Sequence, residues 1–469
     1  MTKHPVAQHQ APKFRRLRQR QRNAVLALAG TLYASGALAA PSVYPTGVTR
    51  YDPAKAYNSY VLFTGGDNVA HLIDMNGNSV HEWKDAASHS TLLDPALTGG
   101  KLGHVLVTLE LTDGKGTDLI PGQINRRVSK TIGELDWDGN VVWRFGDKAP
   151  GGAAQQHHDW ARLPNGNTAV LANWVHPVKG FKPTPVIDDV VYEVNPAGEV
   201  VWKWVASAHL NEFGFSPAEL KLVRNSAIAD VFHTNNLKPV GPNRWYAAGD
   251  KRFAPDNLLF DARNANFIAI IDRHSGKIVW RLGPHYPATS EENHPRNVPR
   301  PVDQISGQHD AHIIPEGLPG AGNLLLFDNQ GVAGYPPAVV PRTGGSRILE
   351  IDPIQNQIVW QYTAEDSGSP AWSFRSTNIS SARRLPNGNT LIDEGQSGRF
   401  FQVSKDGEIV WEYVNPYPKP GKDSLTGKPT SSPAVYRAQP VPYAWVPAGT
   451  PHSENPVTLP EAAKAKPAA

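Results

Sequence analysis

The chain has 469 residues, 40% hydrophobic and 19% charged, with 41 glycines, 42 prolines and a formal net charge of +3. This balance suits a turn-rich globular protein and excludes a helical rod or a disordered chain, while the near-neutral charge leaves no basic footprint for nucleic acid. The absence of cysteine removes disulfides, thiolate metal sites and cysteine nucleophiles, so any chemistry falls to His, Arg, acids or hydroxyls.

The N-terminus reads KFRRLRQRQR, then the apolar run AVLALAGTLYASGALAA, then PSVYP. Basic, apolar and small-residue parts in that order predict a signal peptide over residues 1–39, cleaved between Ala39 and Ala40. Arg15 and Arg16 leave a twin-arginine route open. The run is shorter than the ~20 residues that cross a bilayer, so the mature protein is expected to be periplasmic or secreted, with no membrane span.

One pattern then occurs six times, in LIDMNGNSVHEW, ELDWDGNVVWRF, EVNPAGEVVWKW, IIDRHSGKIVWRL, EIDPIQNQIVWQY and QVSKDGEIVWEY. Each reads as a hairpin: an alternating apolar strand, Asp/Asn/Gly turn residues, and a return strand opened by a β-branched pair and a tryptophan. The tryptophans are Trp83, Trp143, Trp202, Trp280, Trp360 and Trp411, and an indole is large enough to bridge neighbouring sheets. Segments such as ARLPNGNTAVLAN from Ala161 and ARRLPNGNTLIDEG from Ala382 precede the hairpins and supply the innermost strands, with Pro-Asn-Gly-Asn as turn chemistry.

A single such unit cannot bury both its faces. The predicted fold is therefore all-β, a six-bladed β-propeller over residues 40–416. Residues 417–469 are expected to form a Pro-rich C-terminal extended strap, with the last nine residues disordered.

Six residues before the proline that opens an inner-strand turn stand His89 (Pro95), His158 (Pro164), His233 (Pro239) and His309 (Pro315), and the same step from Pro386 reaches Ser380. Equivalent positions of successive blades surround one axis, so these side chains are expected to converge at the channel. Their company in QQHHDW, VFHTNN and GQHDAH is polar, with His157 and His312 as neighbours. A ring of imidazoles can bind a metal, act as nucleophile or base, or donate to an anion, and Asp159, Asp310 and Asp393 are available as carboxylates. Arg252 in AAGDKRF and Arg375 in WSFRSTN are candidates to grip an oxyanion. Asn329 in FDNQG and Asn378 are candidate polar contacts.

These motifs together resemble the bacterial arylsulfate sulfotransferases. The resemblance runs from about Gly47 to Pro416 and rests on HLIDMNGNSVHEW, HHDWARLPNGNT, DVFHTNN with IIDRHSGKIVWRLG, GQHDAHIIP with LLLFDNQG, and RLPNGNTLIDEG with GEIVWEYVNP. It implies a periplasmic six-bladed propeller that moves a sulfuryl group from an aryl sulfate to a phenol by a ping-pong route through a sulfohistidine, with its motif histidines at His233 and His309. Two positions depart from the pattern. No arginine follows FDN, where Gln330 to Gly334 stand, and the histidine that the resemblance implies as sulfate-accepting nucleophile, between the fifth hairpin and the last inner strand, is missing, since no histidine occurs from Ile313 to Pro451.

The leading expectation is thus a sulfotransferase-like enzyme. His158, His233 or His309 would be the nucleophile, or Ser380 with a neighbouring base, and Arg252 or Arg375 would hold the sulfuryl group. Asn329, Arg375, Asn378, Ser380 and His89 would contact substrate, and neither metal nor other cofactor is called for. The alternatives are a non-catalytic propeller that binds a small aromatic or anionic ligand or a partner protein, and metal-dependent chemistry on the histidine ring.

Overall fold

Turn chemistry decides where the strands reverse. In the first hairpin the Asp74 carboxylate accepts from the backbone N–H groups of Asn76 and Asn78, both at 3.0 Å, and Gly77 supplies a left-handed residue at φ 80°. This is the local reason that D-x-x-G-N reads as a turn. The structure, a computed structural model, describes residues 45–113, 128–287, 298–331, 344–422 and 426–458. The expected signal peptide and the last nine residues lie outside them.

The fold is all-β and arranged as a β-propeller. Each hairpin is joined to the next by an indole. Trp83 donates to the Asp136 carbonyl, Trp143 to Asn195, Trp204 to Gly276, Trp280 to Pro353, Trp360 to Lys405, and Trp411 returns to Met75. The acceptors lie in the turn of the following hairpin, so the contacts run round a closed circle. In the third repeat Trp204 makes the bond, not Trp202 as expected. The two residues share one face of the strand Val200–Val205, and Trp204 is the one inside the core, with Phe213, Phe260 and Phe267.

The expectation of six separate blades needs correction. Among the described residues four sheets have the size of one blade, with four or five strands each, and a further sheet has eight. The eight-stranded sheet joins two repeats, Ala87–Phe145 and Gln156–Val205, because one residue pair, Ser129 with Gln156, carries the ladder from one into the other.

Both ends of the described chain close the ring. Gly47–Tyr51 pairs with Ile409–Val414 of the last repeat, and Ala438–Val441 pairs with Tyr60–Thr64 of the first. Within residues 417–458, expected as an extended strap, the chain also forms the hairpin of Lys419–Lys422 with Pro429–Ser432. Val457 exchanges backbone hydrogen bonds with Tyr51. Apolar side chains from facing sheets fill the wedges between them, as where Leu171, Val191 and Trp204 meet Leu258, Phe260 and Ile271. Among the described residues no helix is long and apolar enough to cross a membrane.

Candidate functional site

The inner strands break register at one level. The ladder shifts between Ala87 and Thr91, around His157–Asp159, between Thr234 and Asn236, and between His309 and His312. At each break a residue other than glycine takes a left-handed conformation: Ser88, His158, His233 and Asp310, with φ between 50° and 69°. Ile379 and Ser380 do the same just before Ser381–Arg384. An extra residue in a ladder is left unpaired and its side chain is re-aimed.

Two of the predicted histidines come together. The His158 and His233 rings meet edge to face at 4.6 Å, and Tyr436 lies 5.6 Å from His158 and 5.2 Å from His89. Ser380 donates its backbone N–H to the Tyr436 carbonyl. Tyr436 itself stands six residues before Pro442 and enters the inner strand Ala438–Val441. It therefore fills the register position of the repeat in which no histidine was found, although its segment was expected to be only a strap.

The histidines differ in what their nitrogens can do. His233 is about one quarter exposed, and its Nδ1 lies 2.7 Å from the Asp230 carboxylate. A carboxylate there fixes the proton on Nδ1 and leaves the lone pair on Nε2. His158 is half-buried, and its Nδ1 is 2.7 Å from Nδ1 of His157, so one ring donates to the other.

His309 is buried. Its Nδ1 lies 2.7 Å from Asn329 Oδ1, and its Nε2 accepts the Ile379 N–H at 3.1 Å. Burial, then the Arg263 charge, hold its pKa well below the usual value. It is a neutral ring with both nitrogens committed, which does not fit the expected role of nucleophile. Asn329 in turn donates to the carbonyls of Ser376 and Ile379, so His309 and Asn329 fix the loop that carries Asn378. The Asn378 side-chain oxygen is buried and makes no hydrogen bond among the described residues.

His89 is stacked on Trp160 and buried, with its pKa lowered to about 3 by burial. Ser380 is also buried, and its hydroxyl accepts the Gly395 N–H. The two ring nitrogens of His89 are buried and make no hydrogen bond among the described residues.

One residue further along the inner strands lies a charged layer. Asp159 and Asp310 are fully buried, and Arg437 reaches both, at 2.9 and 3.5 Å. Lys238 also pairs with Asp159 at 2.9 Å, and Arg383 with Asp310 at 2.5 Å. Burial raises the pKa of Asp261 and Asp393 well above the ordinary value. Of the carboxylates considered as metal ligands, Asp159 and Asp310 are thus used in ion pairs. Among the described residues no group of three or more His, Asp or Glu is placed to hold a metal ion.

Neither predicted arginine is at the histidines. After Thr234–Pro239 the chain forms a short helix, Arg244–Ala247, capped by Asn243. Arg252 follows it at the turn end of that strand, half-exposed and paired with Asp250. Arg375 is exposed, and its backbone N–H is held by Glu394.

A guanidinium not singled out above does approach: Arg263 interacts electrostatically with Asp230 and His309, and Arg437 also acts on His309. The sequence carried a signal for it. LLFDARN and LLFDNQG occupy equivalent strands, so Arg263 stands where Gln330 stands in the next repeat. Asp230, three residues before His233, was missed because nothing in DVFH marks a turn that folds the carboxylate back.

Among solved structures, a protein of unknown function from Bacteroides caccae shares 14% identity over 82% of this chain and 99% of its own, with a TM-score of 0.44. Virginiamycin B lyase from Staphylococcus aureus shares 12% over 77% and 86%, at 0.34. The β-propeller domain of Myceliophteria thermophila Cps50 (Swd1) shares 12% over 83% and 100%, at 0.36. No curated protein matches. The family model described as arylsulfotransferase (ASST) matches residues 130–416, the stretch that carries His158, His233, Arg263, His309 and Asn329, and the chain belongs to that family.

Proposed function

We propose that the protein transfers a sulfuryl group from an aryl sulfate to a phenol at the end of the channel where His158 and His233 meet. The observation that carries this reading is the Asp230–His233 pair, since an imidazole oriented by a carboxylate is a competent nucleophile near neutral pH. In the first step the Nε2 lone pair of His233 attacks sulfur. The bond from sulfur to the aryl oxygen breaks, and the phenolate leaves with its electron pair. In the second step the acceptor phenol attacks the same sulfur, the S–N pair returns to Nε2, and His158 takes the phenol proton. Arg263, whose charge acts on His309 and Asp230, offsets charge on the sulfuryl oxygens in this reading. His309 and Asn329 are positioning residues that hold the 376–380 loop. Arg252 has no part.

On this reading the eight-stranded sheet counts as two blades that share one residue pair, which gives six around the axis. The mature protein works in the periplasm or outside the cell, and cell fractionation tests that placement. The test of function is 4-nitrophenol release from 4-nitrophenyl sulfate with phenol as acceptor. Native protein is expected to release it in an acceptor-dependent way and His233→Ala to release none. A second reading, a propeller that only binds aromatic anions, is favoured by one observation. The last inner strand offers Ser380, whose buried hydroxyl is held by an amide. Absence of release with any aryl sulfate would select it.

A further inference from the structure

The far end of the channel holds a cavity of about 480 Å³ that the transfer reaction does not use. It lies beyond the Arg437–Asp159–Asp310 layer, at the turn end of the inner strands. Lys238, Arg383 and Arg437 form its floor, and Pro315, Pro386 and Trp445 are among the residues of its walls. The three cations share only two carboxylates, Asp159 and Asp310, which are fully buried behind them. Lys238 and Arg383 keep 16% and 23% of their side chains exposed, so the surplus positive charge faces the cavity. Of the acids at the rim, Asp94 is engaged in capping the Ala96 N–H, and Glu316 is exposed to water, where its charge is screened.

We propose that this cavity is a second ligand site, for a small planar aromatic anion. The anionic group would rest on Lys238 and Arg383, where a guanidinium fork matches a carboxylate. The ring would lie against proline and Trp445, the apolar wall with a few convergent polar groups that small-ligand sites present. His312 is among its lining residues, but neither His158 nor His233 is, so the inference does not depend on sulfuryl transfer.

Isothermal titration with benzoate tests it, with sodium sulfate as the anion lacking a ring. Saturable benzoate binding is expected for native protein and for His233→Ala, with sulfate weaker. Trp445→Ala and Lys238→Met should each weaken benzoate by about tenfold, which is about 1.4 kcal/mol. Trp445 is only partly buried, so that variant keeps the test open if Lys238→Met fails to fold. Unchanged affinity in Trp445→Ala, or binding that disappears in His233→Ala, would overturn the assignment. So would the absence of saturable binding to native protein.

Discussion

Replacing Arg437 with methionine removes the one side chain that ties the two buried carboxylates together. Arg437 is 7% exposed and reaches Asp159 at 2.9 Å and Asp310 at 3.5 Å, and it also donates to the Asn235 carbonyl at 3.0 Å. Breaking a buried ion pair by removing one partner costs about 3–5 kcal/mol, because the remaining charge stays buried. Lys238 still holds Asp159 and Arg383 still holds Asp310, which places the expected loss near the lower end, about 3 kcal/mol. Urea unfolding at pH 7 measures it.

The pH dependence gives a second readout. Burial pushes the Asp159 pKa up, but Arg437 and Lys238 more than offset this, so it lies below the ordinary value. A depressed carboxylate contributes stability that is present above its unfolded pKa of about 3.9 and is lost as pH falls through the folded value. The deficit of Arg437→Met should therefore be full at pH 7 and narrow below about pH 4. Arg252→Ala, which breaks an exposed pair, should stay within about 0.5 kcal/mol of native. An Arg437→Met deficit under about 1 kcal/mol, or one independent of pH, would refute the account of this layer.

Asp230→Asn should leave the fold intact and lower the transfer rate by about 10–150-fold, the worth of a charge-assisted hydrogen bond of about 1.5–3 kcal/mol. Because an amide can donate to Nδ1 and move the imidazole proton to Nε2, kcat should fall with little change in KM, and steady-state kinetics on 4-nitrophenyl sulfate read both. Trp204→Phe leaves the Gly276 carbonyl without its donor and should cost about 1–3 kcal/mol, whereas Trp202→Phe should cost less, as chemical denaturation of the pair will show. His89 and His312 are held neutral by burial, each with its pKa lowered to about 3. Between that value and the unfolded value of about 6.5 the unfolded chain binds more protons. Stability is thus complete above about pH 6.5 and should fall steeply toward pH 3, a trend that thermal melts in graded buffers record.

Much of this geometry is written in spacing. The six-residue step back from proline locates His89, His158, His233, His309 and Ser380, and the same step from Pro442 reaches Tyr436. The last position escapes notice because it follows the final Trp hairpin, in a Pro-rich segment whose strand is supplied to the first repeat across the ring closure. Spacing does not show which nitrogen is accessible. His309 and His233 have the same register, yet an amide and Asn329 occupy one ring while Asp230 orients the other. Arg252 is misplaced for a different reason: RWYA follows a capping Asn243 and turns into a helix, which a strand-period reading does not anticipate.

The two closures have a consequence for when the site exists. Tyr436 and Arg437 come from the segment that pairs with the first repeat, so the histidines of the third, fourth and fifth repeats acquire their last neighbours only when the far end of the chain docks. A growing or C-terminally clipped chain can hold most of its hairpins and still lack a charged floor to its channel. The completed ring is thus a checkpoint written into the topology: Tyr436 and Arg437 take their places only with the final strand, and proteolysis at the tail would remove them without touching a histidine.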